Sequence, residues 1–239
     1  MPRQMIFEWA HEAPPALDNF LVGVNAEIVA HLRALAGGKL DESSVLIWGG
    51  PGAGKSHLLT ATLAAAAAAG RPESLLTTEG AAPFSIATGG LYAVDDVDRL
   101  TPAAQGRLFT LYNTCRDAGA QLLLAARVAP AQAPLRDDVR TRAGWGLVLE
   151  LKPLTDAEKP DALSAYARAQ GFRLSRDVIE FLLTRRQRDM AALLATLRAL
   201  DRYSLSTKRQ ITIPLVKELL QPELSLGNGA LRSTDSGIA

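Results

Sequence analysis

The residues with the clearest chemical content are Gly49-Gly50-Pro51-Gly52-Ala53-Gly54-Lys55-Ser56, where four glycines precede a lysine and a hydroxyl. Glycine lets successive backbone N–H groups turn to one side and bind an anion, the lysine adds a cation, and the serine adds an oxygen for a hard metal. This spacing is the phosphate-loop pattern, in which Lys55 reaches the β and γ phosphates of a nucleotide and Ser56 ligates Mg²⁺. His57 follows directly and reads as a helix-surface or nucleotide-edge residue. A second constellation, Leu91-Tyr-Ala-Val-Asp95-Asp96, is an apolar strand ending in two carboxylates. It suits Asp95 beside Mg²⁺ and Asp96 near an attacking water. An acidic strand end is ordinarily a solvated loop, so the functional reading leans on the glycine loop upstream.

Those residues need a strand before the loop and a helix after it, and the sequence supplies both. Val45–Trp48 is a short apolar run, and an apolar helix over Ser56–Ala69 ends at Gly70. Further apolar runs at Ser74–Thr78, Leu91–Val94, Gln121–Ala126 and Leu147–Leu151 give the rhythm of a parallel α/β sheet. Phe20, Val24, Ile28, Leu32 and Leu35 recur at three or four, predicting an amphipathic helix between Leu17 and Leu35. Between Thr78 and Leu91, where a crossover helix is expected, the chain is broken by Gly and Pro. After Pro153 only helical patterns remain. Thr155-Asp-Ala-Glu158 reads as a capping box, and helices are expected at 156–170, 175–186, 188–204 and 214–221. The expected organisation is a flexible arm (1–16), an α/β domain (17–153), a smaller all-α domain (154–221) and a disordered Gly- and Ser-rich tail (222–239).

Composition narrows the partners. A net charge of +1 leaves no overall electrostatic footprint for nucleic acid or an anionic membrane, so DNA contact is expected only indirectly. Cys115 is the single cysteine, which excludes an internal disulfide and suits the cytoplasm. The run from Leu58 to Ala69 falls short of the roughly 20 residues that span a bilayer. His11, His31 and His57 are too scattered for a protein-only metal site.

The phosphate loop through His57-Leu-Leu59, the Asp95-Asp96 strand end, Asp138-Val-Arg-Thr-Arg142, Lys152-Pro-Leu-Thr-Asp-Ala-Glu-Lys159 and Arg188-Asp-Met190 together resemble the bacterial initiator DnaA. Leu17-Asp-Asn-Phe20, Gly171-Phe172 and Ile211-Thr-Ile-Pro-Leu-Val-Lys-Glu-Leu-Leu220 are more narrowly similar to the DnaA-related Hda regulators, and the likeness covers about residues 17–221. The resemblance implies an AAA+ P-loop NTPase core with a helical lid and ADP or ATP with Mg²⁺ as cofactors; monomer, homodimer or higher oligomer stays open. It makes Arg142 an arginine finger acting on a neighbouring subunit, with Arg136 and Arg140 open as alternatives, and Arg188 the lid residue that senses the chain's own nucleotide. It also makes Gln4-Met5-Ile6-Phe7 a peptide for the replicase sliding clamp (its β subunit), although Met5 replaces the usual leucine and Glu8 or Trp9 stands at the terminal position.

The chain departs from the family where a small polar residue should end the fourth strand. Ala125 and Ala126 stand there instead, which implies weak ATP turnover by the chain itself. Only about twenty residues follow the lid, so direct origin recognition is not expected. The implied role is stimulation of ATP hydrolysis on DnaA. The alternatives are a helicase-loader-type ATPase and a non-catalytic adaptor.

Overall fold

The computed structural model describes residues 14–79, 83–185 and 190–224. Its first unit runs to Thr155 and its second starts at Asp156. The first is built on α1 (Ala26–Ala36), β1 (Ser44–Trp48), α2 (Lys55–Ala68), β2 (Glu73–Leu75), β3 (Leu91–Val94), α3 (Pro102–Asp117), β4 (Gln121–Ala126), α4 (Asp137–Ala143) and β5 (Leu147–Glu150). All strand pairs are parallel, in the order β2-β3-β4-β1-β5. The central strands are apolar after their first residues, Ser44 in β1 and Gln121 in β4, because both faces are covered. Alternation sorts their side chains: Val45, Ile47, Leu123 and Ala125 join the core under α1 and α2, while Leu46, Leu122, Leu124 and Ala126 join the core under α3 and α4. Each fully buried leucine, such as Leu58, Leu108, Leu123 or Leu124, contributes about 1.5–3 kcal/mol through area removed from water.

Local chemistry sets the element ends. The alanine run of α2 has high helix propensity, and Gly70 at φ +75° lets the chain leave the last turn. Thr101 caps α3 by accepting from the Ala104 N–H at 3.3 Å, with Pro102 in the first turn. The expected helix from Leu17 is shorter than its apolar spacing suggested and starts at Ala26. Asn19 instead closes a turn, accepting from the Ala16 N–H at 3.0 Å, Gly23 takes φ +50°, and Val24 is exposed. The second strand occupies Glu73–Leu75 rather than 74–78 and pairs with β3, and two bonds of 2.8 Å flank it, from Leu76 N–H to the Ala93 carbonyl and from Leu91 N–H to the Pro72 carbonyl. No helix occurs among the described residues between β2 and β3.

The second unit holds α5 (Lys159–Ala169), α6 (Arg176–Arg185), α7 (Met190–Thr207) and α8 (Ile213–Leu224). Leu163, Val178, Leu182, Leu193, Leu197, Leu200, Leu215 and Val216 are buried in it. Its first helix opens at Lys159, not at 156: residues 156–158 form a turn. Lys159 donates to Asp156 at 2.8 Å across that turn, and Pro160 sits in the first helical turn, where a missing N–H costs least. Gly171 at φ +86° separates α5 from α6. The last helix continues through Pro222 to Leu224, so 222–224 are helical, contrary to the expected tail; residues 225–239 lie outside the described residues. No helix among the described residues is long and apolar enough to cross a membrane.

Candidate nucleotide site and the arginine helix

β1 delivers the chain into residues 49–54, and α2 begins at Lys55, so the loop's N–H groups gather at the N-terminus of a fourteen-residue helix. Gly52 and Gly54 adopt φ +75° and +94°, which side chains with a Cβ rarely tolerate. Gly49 has a different reason to be glycine. A Cβ there would lie 2.3 Å from the Leu151 carbonyl oxygen, because the Leu151 N–H pairs with the Trp48 carbonyl at 2.7 Å and draws the end of β5 against the loop. Gly50 faces open space, Pro51 is exposed and Ala53 is buried. Lys55 is buried and folds back over the loop, donating to the carbonyls of Gly49 at 2.8 Å and Gly50 at 3.1 Å. His57 is turned to the segment before α1, where its Nε2 lies 3.1 Å from the Ala16 carbonyl and its ring 5.7 Å from that of Phe20.

The two constellations meet. Ser56 Oγ donates to Asp95 Oδ2 at 2.5 Å, and the other Asp95 oxygen accepts from the Asp96 N–H at 2.8 Å. A hydroxyl and a carboxylate oxygen side by side are the hard donors that Mg²⁺ takes, with phosphate oxygens and water completing its shell. Among the described residues no group of three or more His, Cys, Asp or Glu could hold a metal. Asp96 takes φ +48°, a left-handed conformation that Asp tolerates better than most residues, and its carboxylate lies 3.7 Å from Arg99.

Behind this pair lies a contact the sequence did not announce. Asp98 is almost wholly buried and accepts from both the backbone N–H and the Nε of Arg127, each at 2.9 Å. Burial pushes the Asp98 carboxyl up, but the N–H and guanidinium of Arg127 together outweigh it and hold the group below the usual carboxylate range. The bond joins the segment after β3 to the residue after β4. That strand ends in the buried Ala125 and Ala126, and the first polar residue past it is Arg127. The Gly49 N–H donates to the Ala126 carbonyl at 3.2 Å, so the end of β4 is anchored to the start of the phosphate loop. Asn25 supplies a second tie, exchanging bonds of 2.8 and 2.9 Å with the backbone of Lys152.

The three arginines around α4 differ in their partners. Arg136 donates to Asp138 at 2.9 Å, and Arg140 is paired with Asp137. Arg142 meets no carboxylate among the described residues. Its guanidinium lies 3.8 Å from the centroid of the Phe109 ring and 5.3 Å from that of Trp145, with long contacts to Asn113 Oδ1 (3.3 Å) and the Asp138 carbonyl (3.5 Å). Among the described residues the Tyr112 hydroxyl in this group has no hydrogen-bond partner; burial raises its pKa, against the opposing pull of Arg142. Phe109, Asn113 and Trp145 were missed from sequence because spacing alone does not reveal that α3 and α4 pack together. Arg188 and Gln4, Met5, Ile6 and Phe7 lie outside the described residues.

Residues 156–220 match the family model described as the Hda lid domain. The fold is similar to domain III of the Thermotoga maritima replication initiation protein DnaA, at 18% identity and TM-score 0.66, covering 88% of this chain and 97% of that one. AMPPCP-bound DnaA from Aquifex aeolicus is similar at 18% identity and TM-score 0.64, over 95% of this chain and 79% of that one. The Thermotoga maritima RuvB Holliday junction branch migration motor follows at 18% and 0.63, over 87% and 72%. At such identities the solved structures speak for the fold, and the lid match adds the narrower likeness. The chain is similar to Hda in its lid and to DnaA domain III in its fold.

Proposed function

We propose that this chain is a cytoplasmic, adenine-nucleotide-binding regulator of replication initiation that docks on the sliding clamp and stimulates ATP hydrolysis by DnaA. The observation that carries the reading is the state of Arg142: of the three arginines around α4, it is the one that meets no carboxylate among the described residues. A guanidinium in that state is available to an anion. Delivered to the γ-phosphate held by a neighbour, it stabilises charge in the transition state, an effect worth about 10³–10⁵ in rate for arginine fingers. The partner is DnaA because the fold and lid are DnaA- and Hda-like, and AAA+ subunits of like fold pair around nucleotide.

In this chain's own site, the loop N–H groups and the dipole of α2 bind the phosphates of ADP or ATP. Lys55 exchanges its loop carbonyls for phosphate oxygens. Ser56 and Asp95 would hold a Mg²⁺ ion, which would neutralise phosphate charge there. Asp96 stands next to that pair, where it orients a water. Arg188 reads the nucleotide from the lid, and Gln4–Phe7 provides clamp docking through an amide anchor followed by apolar side chains.

A second reading, an independent ATPase of helicase-loader type, draws support from the complete Ser56–Asp95 pair. The buried Ala125 and Ala126 at the end of β4 count against it, since neither offers a polar group to the reaction. Reconstitution with DnaA, ATP and clamp-loaded DNA separates the two. The regulator reading expects DnaA-bound ATP to be hydrolysed faster when the chain is added and little turnover by the chain alone. Steady ATP consumption without DnaA, and no acceleration with it, would put the second reading first.

A further inference from the structure

We propose that Phe109, Asn113 and Trp145 are positioning residues for Arg142, an uncharged cradle that aims its guanidinium while leaving its positive charge for a phosphate on another subunit. The inference rests on the reading of Arg142 as a finger and adds the residues that act through it. Phe109 and Asn113 lie one helical turn apart on α3, so their side chains share a face. Arg142 comes from the last turn of α4 and Trp145 follows just after it. The guanidinium sits against the Phe109 ring at 3.8 Å, with Trp145 at 5.3 Å and the neutral amide oxygen of Asn113 at 3.3 Å.

The chemistry of the cradle is selective. Aromatic faces attract a cation through the ring quadrupole and hold a planar guanidinium in a defined orientation. They do not neutralise it, and they let it go more readily than a carboxylate does. Neighbouring residues show the contrast: Asp138 and Asp137 hold Arg136 and Arg140, whereas Asn113 puts a neutral oxygen where a carboxylate of the same shape would fit. Trp145 is 68% exposed, so one ring of the cradle faces solvent beside the guanidinium. A phosphate-bearing partner that meets Arg142 would meet that ring too.

The decisive substitution is Asn113→Asp, which changes one neutral atom group to a carboxylate without changing side-chain size. A carboxylate bonded to Arg142 competes with the partner's phosphate, so the stimulated hydrolysis rate at saturating regulator should fall about tenfold. The thermal midpoint should stay at or above that of the parent protein, since a new ion pair forms. Phe109→Leu keeps an apolar side chain but removes the ring face. It should lower the saturating rate about tenfold with less than about twofold change in the half-saturating concentration, and Phe109→Tyr should restore the rate. Arg142→Ala is run beside them. If it loses stimulation while Asn113→Asp and Phe109→Leu retain it, the cradle is wrong and the finger stands. If Arg142→Ala itself stimulates fully, the reading beneath the cradle fails.

Discussion

Lys55 is the single side-chain cation built into the phosphate loop, and its charge is held over that loop by the carbonyls of Gly49 and Gly50. Lys55→Ala should therefore lower affinity for ADP and ATP at least tenfold, since a charge-assisted hydrogen bond to phosphate is worth about 1.5–3 kcal/mol. Calorimetric titration measures this directly, and unchanged affinity would detach the loop from nucleotide binding. Asp98 makes a different prediction. Asp98→Asn keeps the shape but loses the charge facing Arg127, and should destabilise the fold by about 1–3 kcal/mol in denaturant titration at neutral pH. The folded-state pKa of Asp98 is depressed, so its contribution is present above the ordinary carboxylate pKa and is lost as pH falls through the lower folded value. The difference between parent and Asp98→Asn should accordingly shrink as the pH is taken below about 4. A gap that grows on acidification would contradict the assignment.

Elements made the residues legible to different degrees. The loop at 49–56 was readable because its glycines, lysine and serine are contiguous, and because strand and helix patterns bracket them. The five strands were readable because a doubly covered parallel sheet demands unbroken apolar runs, and only the edge strand at Glu73–Leu75 was misplaced, where a single neighbour specifies register weakly. The first helix was overextended because Phe20 and Val24 continue its spacing by coincidence, while Asn19 and Gly23 impose turns. The Asp98–Arg127 bond and the Phe109–Arg142 stack were not readable, since each joins residues 29 or 33 positions apart through packing that no local pattern encodes. Element packing also dictates Gly49. With the Leu151 carbonyl 2.3 Å from where a Cβ would stand, Gly49→Ala must push β5 away from β1. It should cost about 1–3 kcal/mol of stability by the usual penalty for overpacking, measured by chemical denaturation, and a neutral result would show that the contact yields easily.

For the molecule as a whole, the proposed function divides the two nucleotide roles between proteins. The chain's own site has the loop, the lysine and the serine–aspartate pair, yet ends its fourth strand in alanines. Arg142, on a separate helix, meets aromatic rings and neutral oxygens and no carboxylate among the described residues. The proposed function reads that combination as a chain whose own nucleotide sets conformation while its catalytic contribution is made on DnaA. An arginine that acts in trans contributes to the partner's transition state and little to its own fold, so its removal should cost rate while sparing stability and nucleotide binding. The most direct measurement is the initial rate of DnaA-bound ATP hydrolysis on clamp-loaded DNA at saturating regulator, comparing the parent chain with Arg142→Ala and Arg142→Lys. Both variants should retain ADP affinity and thermal stability yet lose most of the stimulation, the lysine because a compact ammonium cannot reproduce the planar two-pronged contact. Full stimulation by Arg142→Ala would contradict the account.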